Sequence, residues 1–225
     1  MLITIITLFP KFFSSVFSES ILKRAQKEEK IKINIVDLRD FGIGRHKQVD
    51  DSPYGGGVGM VLKVDVLADA INSVREKDKK EAVILLDPKG KVFKQKLAES
   101  FAGFEHLILI CGHYEGFDER VRALVDSEIS IGDYILSGGE IAAVVITEAV
   151  TRLIPGVLKK DEATKYESFS KVGEKRMLEH PHYTRPADYQ GKKVPETLLS
   201  GNFKNIEKYR TEEAEKETSK KRPDL

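Results

Sequence analysis

The chain has 225 residues, 40% of them hydrophobic and 32% charged, a mixture that fits a globular fold and excludes a disordered or collagen-like chain. That length allows one ordinary domain with a small appendage, and the single cysteine, Cys111, rules out a disulfide framework. Lys and Arg number 37 against 36 Asp and Glu, a net charge of +1, so any nucleic-acid footprint must be local.

The first eight residues, Met-Leu-Ile-Thr-Ile-Ile-Thr-Leu, lack the basic region and cleavage site of a signal peptide and read as a buried first strand. No stretch approaches the roughly 18 apolar residues of a membrane span, so a cytoplasmic protein without a membrane partner is expected. Short runs rich in β-branched residues predict strands over 2–8, 31–38, 82–87 and 106–111. Helical patterns run over 12–27, 64–75 and 94–101, with another at 118–125. This alternation predicts an α/β fold whose parallel sheet is covered on both faces. Segment 138–154 is apolar nearly all round, so as a helix it must be buried, either in its own domain or against a second subunit. From Pro155 onward the character turns polar and aperiodic. The expected organisation is a main domain over 1–158, a linker over 159–170 and a small C-terminal helical domain over 171–225, whose charged end frays.

Four glycine-bearing segments carry the candidate chemistry. Pro53-Tyr-Gly-Gly-Gly-Val-Gly-Met60 exposes backbone N–H groups and permits close approach to a phosphate or a base. With no strand predicted to feed it, it is not a dinucleotide fingerprint, and the chain holds no G-x-x-x-x-G-K-[ST]. A merely flexible loop accounts for these glycines equally well, but the flanking Arg39, Arg45, His46 and Lys47 favour a loop facing RNA. Cys111-Gly-His-Tyr-Glu-Gly-Phe-Asp-Glu-Arg120 leaves the fourth strand where open α/β sheets bind ligands, although Asp118 and Glu119 would suit a capped helix start without any ligand. Ile131-Gly-Asp-Tyr-Ile-Leu-Ser-Gly-Gly-Glu140 and Leu85-Leu-Asp-Pro-Lys-Gly90 are placed similarly, and the three strand-end loops are expected to converge on one pocket. Cys111 reads as a buried structural thiol. His180-Pro-His182 lacks a third ligand nearby and reads as part of an ordered loop, and the charged run after Lys204 reads as a solvated helix face.

Five motifs together resemble the bacterial tRNA (guanine-N1)-methyltransferase family, TrmD, of the SPOUT superfamily: residues 50–60, 111–121, 131–140, Ile154-Pro-Gly-Val-Leu158 and Pro181-His-Tyr-Thr-Arg-Pro186. The likeness covers nearly the whole chain in the family's order and spacing. It implies a deep trefoil knot, a homodimer with its active site at the subunit interface, and methylation of the guanine just 3′ of the anticodon of tRNA. It further implies that S-adenosylmethionine binds Leu86, Pro88, Gly112, Tyr114, Glu115, Ile131, Gly132, Asp133, Tyr134, Ile135, Leu136, Gly138 and Gly139. By the same likeness Tyr54, Gly55, Gly59 and Met60 meet the substrate, and the C-terminal domain grips the anticodon stem.

Guanine N1 carries a proton, so its methylation needs a base to remove that proton and a cation or donor to hold the charge that develops at O6. The resemblance assigns the charge stabilisation to Arg152 and the base to Glu167, which stands where the family has an aspartate before Ser-Phe. It also implies magnesium, for which the sequence shows no motif; Glu115 and Glu167 are the carboxylates considered for it. Asp161 and Glu162 lie on the same stretch as Glu167 and are alternative bases. A non-catalytic RNA-binding protein on the same fold is the competing reading. A dinucleotide-dependent oxidoreductase is disfavoured by the missing G-x-G-x-x-G after the first strand.

Overall fold

The structure is a computed structural model and describes residues 1–76, 78–159, 164–173 and 175–225. The chain forms two compact units, Met1–Lys159 and Lys160–Leu225.

In the first unit, strand β1 (Leu2–Thr7) leads through two 3₁₀ turns, Pro10–Phe13 and Val16–Ser18, into helix α1 (Ser20–Lys27) and strand β2 (Lys32–Asp37). The helix predicted over 12–27 is therefore cut to its second half. Ser14 and Ser18 donate their hydroxyls to the carbonyls three residues back, at 2.8 and 2.9 Å, a local bond that competes with the helical ladder. A two-stranded ribbon of β3 (Asp50–Asp51) and β4 (Val61–Leu62) carries the glycine segment between its strands. Then follow α2 (Val64–Val74), β5 (Glu81–Val92), α3 (Gln95–Phe101), β6 (His106–Cys111), a 3₁₀ helix (Glu119–Leu124), β7 (Ser127–Ser130) and α4 (Glu140–Thr151).

Five of these strands form a parallel sheet in the order β2-β1-β6-β5-β7. Its apolar residues alternate between two cores, as the period of two demands. Ile3, Ile5, Leu107, Leu109 and Cys111 share one core with residues of α1, α3 and α4. Ile6, Val83, Leu85, Ile108 and Ile110 share the other with Val66, Leu67, Ala70 and Ile71 of α2. Helix α4 is buried largely within its own domain, through Ala142, Ala143, Ile146 and Val150, but leaves Ile141 and Val145 exposed.

His106 sits fully buried at the start of β6, its Nε2 paired with Thr4 Oγ1 at 2.9 Å and its Nδ1 3.7 Å from Glu81. Burial pushes its pKa below the ordinary value, against the opposing pull of Glu81. The unfolded chain thus binds the proton more tightly, and stability present above about pH 6.5 is lost as pH falls through the folded value. We expect urea unfolding at pH 5.5 to show a larger loss of stability, relative to pH 7.5, in the wild type than in His106→Gln; equal losses would assign the acid sensitivity to other groups.

The second unit consists of hairpin β8 (Ser170–Val172) with β9 (Lys175–Met177), hairpin β10 (Asp188–Tyr189) with β11 (Lys192–Lys193), the short α5 (Glu196–Leu199) and the long α6 (Phe203–Lys221). Helix α6 lies where the charged run predicts a solvated helix face, whereas the hairpins occupy segments the sequence leaves aperiodic. Along α6 the charged run forms exposed ion pairs such as Lys208 with Glu212 and Lys216 with Glu213. His180 and His182 face each other with ring centroids 4.5 Å apart, and His182 pairs with Glu179 at 2.7 Å.

Candidate active site

The loops after β5, β6 and β7 enclose one cleft of about 430 Å³ at the carboxyl edge of the sheet. The first loop is an excursion of β5 over residues 87–90; Leu86 and Lys91 on either side of it both pair with Ile129 of β7. The second, 112–117, continues β6. The third, 131–139, starts from β7 at the sheet's edge and returns to the end of β6, where Gly139 N donates to Gly112 O at 2.9 Å and His113 bridges to Gly138. From there α4 packs on β1 and β6.

Glycine at 139 is required by space rather than by torsion. Its φ of −79° and ψ of −4° suit any residue, but a Cβ would fall 2.7 Å from Cys111 Cα and 2.9 Å from Gly112 N. Beneath this contact, Glu140 is buried and accepts from Thr7 Oγ1 at 2.7 Å, which in turn accepts from Phe9 N at 2.9 Å. Burial, with Glu140 nearby, pushes the Cys111 thiol well above its usual range, which makes it an inert core residue. Asp118 caps the 3₁₀ helix by accepting from Arg120 N at 2.9 Å, and the Arg120 side chain holds the Asp118 carboxyl down to about 2.

The cleft is lined by Leu86 and Pro88, by Gly112, Tyr114 and Glu115, and by Ile131, Gly132, Tyr134, Ile135, Leu136, Gly138 and Gly139. Asp133 is the exception. Tyr134 N donates to Gly132 O at 3.0 Å, a tight turn that puts Asp133 at its apex, exposed and outside the lining. The glycine segment borders the second loop without lining the cleft. Met60 O accepts from Glu115 N at 3.0 Å, a Cβ on Gly59 would meet the Glu115 side chain at 2.5 Å, and Gly55 and the fully exposed Tyr54 lie in the turn beyond. Arg152 follows the last residue of α4 in the first unit. Glu167 belongs to the second unit and lies half-buried in the turns that precede β8, with its carbonyl accepting from Ser170 N at 3.0 Å. Asp161 and Glu162 fall outside the described residues.

Asp87, within the 85–90 segment expected at the pocket, lines the cleft, and so does Arg122, which sequence reasoning passes over. The Glu119 and Arg122 spacing of three residues is a visible signal for a pair within one turn. The partners on β5 and β7 leave no such trace.

The family model for "tRNA (Guanine-1)-methyltransferase TrmD" matches residues 1–225. The chain belongs to the TrmD family. A Bacillus cereus (strain B4264) protein named tRNA (guanine-N(1)-)-methyltransferase is 52% identical over 227 residues, covering 100% of this chain and 91% of the relative. Proteins of the same name from Listeria welshimeri and Listeria monocytogenes EGD-e are 52% identical over 228 residues, with the same coverage. Among the described residues no three His, Cys, Asp or Glu side chains are grouped to hold a metal ion, and no helix is long and apolar enough to cross a membrane.

Proposed function

We propose that this chain transfers a methyl group from S-adenosylmethionine to N1 of the guanine just 3′ of the anticodon of tRNA, in the cytoplasm and as a homodimer. The observation that carries this reading is the convergence of three separate strand-end loops on one cleft, in a chain that belongs to the TrmD family throughout its length. The cleft fits such a donor. Glycines 112, 138 and 139 bring main-chain amides and carbonyls close, while Leu86, Ile131 and Leu136 supply apolar wall for a base. The donor contributes a sulfonium-activated methyl. The chain's own task is then to hold guanine N1 in line and manage one proton, with Glu167 accepting it from N1 and Arg152 facing the charge that builds on O6.

The return of the third loop across the second supports the trefoil knot. Support for the homodimer comes from the apolar side chains left open on and beside α4: Ile141 at 48% exposure, Val145 at 41%, and Phe12 at 42% on the 3₁₀ turn that α4 packs against. Incubation of tRNA with the protein and labelled S-adenosylmethionine, followed by nucleoside mass spectrometry, tests the reading. Labelled 1-methylguanosine is expected, whereas tRNA bound without label transfer would indicate a non-catalytic RNA-binding protein.

Contact with tRNA is assigned to local basic positions, among them Arg39, Arg45, Lys47, Lys159, Lys165, Lys171 and Arg176; Lys160, of the same set, lies outside the described residues. If only three of these hold phosphates, affinity falls about fortyfold between 50 and 200 mM salt despite the net charge of +1. Filter binding across that range measures it, and a flat profile would refute phosphate contact by these groups.

A further inference from the structure

Arg122 is the hub of an ion cluster at the cleft wall. It lies in the 3₁₀ helix Glu119–Leu124, with its side chain only 19% exposed. Its Nε donates to Glu119 at 2.9 Å, its Nη2 to Asp87 Oδ2 at 3.2 Å, and its Nη1 to Glu128. These carboxylates come from three different segments. Asp87 opens the excursion of β5, Glu119 stands just after the second loop, and Glu128 belongs to β7, which feeds the third loop. Asp87 and Arg122 themselves line the cleft.

Asp87 shapes the first loop. Its Oδ1 accepts from Lys89 N at 2.8 Å, and its side chain is only 10% exposed. The far foot of the loop is seated directly on β7, since a Cβ on Gly90 would fall 2.4 Å from Ile129 N. The near foot depends on how the Asp87 carboxylate is held.

We propose that Arg122 is a positioning residue for the methyl donor: by bridging Asp87, Glu119 and Glu128 it sets the spacing of the three loops that form the cleft. This rests on the reading of the cleft as a donor site. A planar guanidinium with five donors serves three acceptors at once, which the single ammonium of lysine cannot do in the same geometry. Without it, Asp87 and Glu128 remain as withdrawn carboxylates with no cation between them, the arrangement in which deleting one partner of a buried pair is most disruptive. The cluster relaxes by turning Asp87 toward water, which releases Lys89 N and carries Pro88 away from the cleft.

The test is calorimetry of S-adenosylmethionine binding to the full chain, paired with filter binding of tRNA, for the wild type, Arg122→Gln, Arg122→Lys and Asp87→Asn. We expect Arg122→Gln to weaken donor binding at least tenfold, Arg122→Lys and Asp87→Asn to weaken it severalfold, and tRNA affinity to change less than twofold. In turnover the donor KM should rise while kcat at saturating donor stays within about threefold, a split that a loss of folded protein would not produce. If Arg122→Gln fails to fold, the two milder variants carry the same comparison. Donor affinity within twofold of wild type in the folded variants, or donor and tRNA affinity lost in parallel, overturns the proposal and leaves the donor reading standing. A wild type that binds no S-adenosylmethionine overturns both.

Discussion

Gly139→Val is expected to reduce S-adenosylmethionine binding about a hundredfold or more. The reason is the close approach of two backbones. Gly139 N donates to Gly112 O at 2.9 Å, and a Cβ placed on residue 139 would lie 2.7 Å from Cys111 Cα, with neither side free to yield as a flexible side chain would. The third loop must therefore lift away from the second. Forcing extra atoms into a packed contact costs about 1–3 kcal/mol, and each 1.4 kcal/mol is tenfold in affinity when the strain falls on the binding surface. Gly139→Ala carries the same first clash with less bulk beyond it, and about a tenfold loss is expected from it. Because the native φ and ψ of Gly139 are ordinary, backbone torsion does not contribute, and the alanine variant isolates the steric effect. Calorimetry on both variants, with circular dichroism to verify folding, measures this. Unchanged affinity in a folded Gly139→Val would remove this contact from the donor site.

The central sheet was legible because β1, β6 and the first half of β5 are runs of β-branched and aliphatic residues buried on both faces, while the edge strand β2 alternates Ile33 and Ile35 with exposed Lys32 and Asn34. The loops of the cleft were legible for a related reason: a Cβ would strike the backbone of residues 111 and 112 at Gly139 and the side chains of Phe117 and Glu140 at Gly112 and Gly138, so these glycines mark the close contacts in the sequence. Three features were hidden. The continuation of β5 past Pro88 to Val92 depends on pairing with β7, a partner about 40 residues onward that periodicity cannot see. The hairpin β10–β11 has two-residue strands, too short for any alternation, and is defined by the turn at Gln190 and Gly191, both at positive φ. The strand order, and with it the meeting of Asp87, Arg122 and Glu128, arises from long-range packing that no local signal records.

Glu167→Gln is expected to slow single-turnover methylation by about two orders of magnitude or more, with S-adenosylmethionine binding intact. Guanine N1 cannot act as a nucleophile while it keeps its proton, and glutamine preserves the size and reach of glutamate while removing the acceptor. The competing view is that Glu167 is a solvated carboxylate of a connecting segment. Its surroundings give that view less room: the carbonyl of Glu167 accepts from Ser170 N at 3.0 Å, Phe169 N donates to Met177 O at 2.7 Å, and Ser168 Oγ accepts from Glu179 N at 3.1 Å. Residues 167–170 are thus tied to the start of the β8–β9 hairpin, and Glu167 sits on an anchored turn. Its side chain then has a fixed base from which to reach N1 once the guanine is held. Glu167→Asp keeps a carboxylate one methylene shorter and should retain substantial activity if the same turn can follow the shorter reach. Single-turnover assays at saturating enzyme, on tRNA with labelled donor, separate the outcomes. A slow glutamine variant beside an active aspartate variant identifies the base, whereas near-normal methylation by the glutamine variant transfers the role elsewhere, with Asp161 the next position to replace.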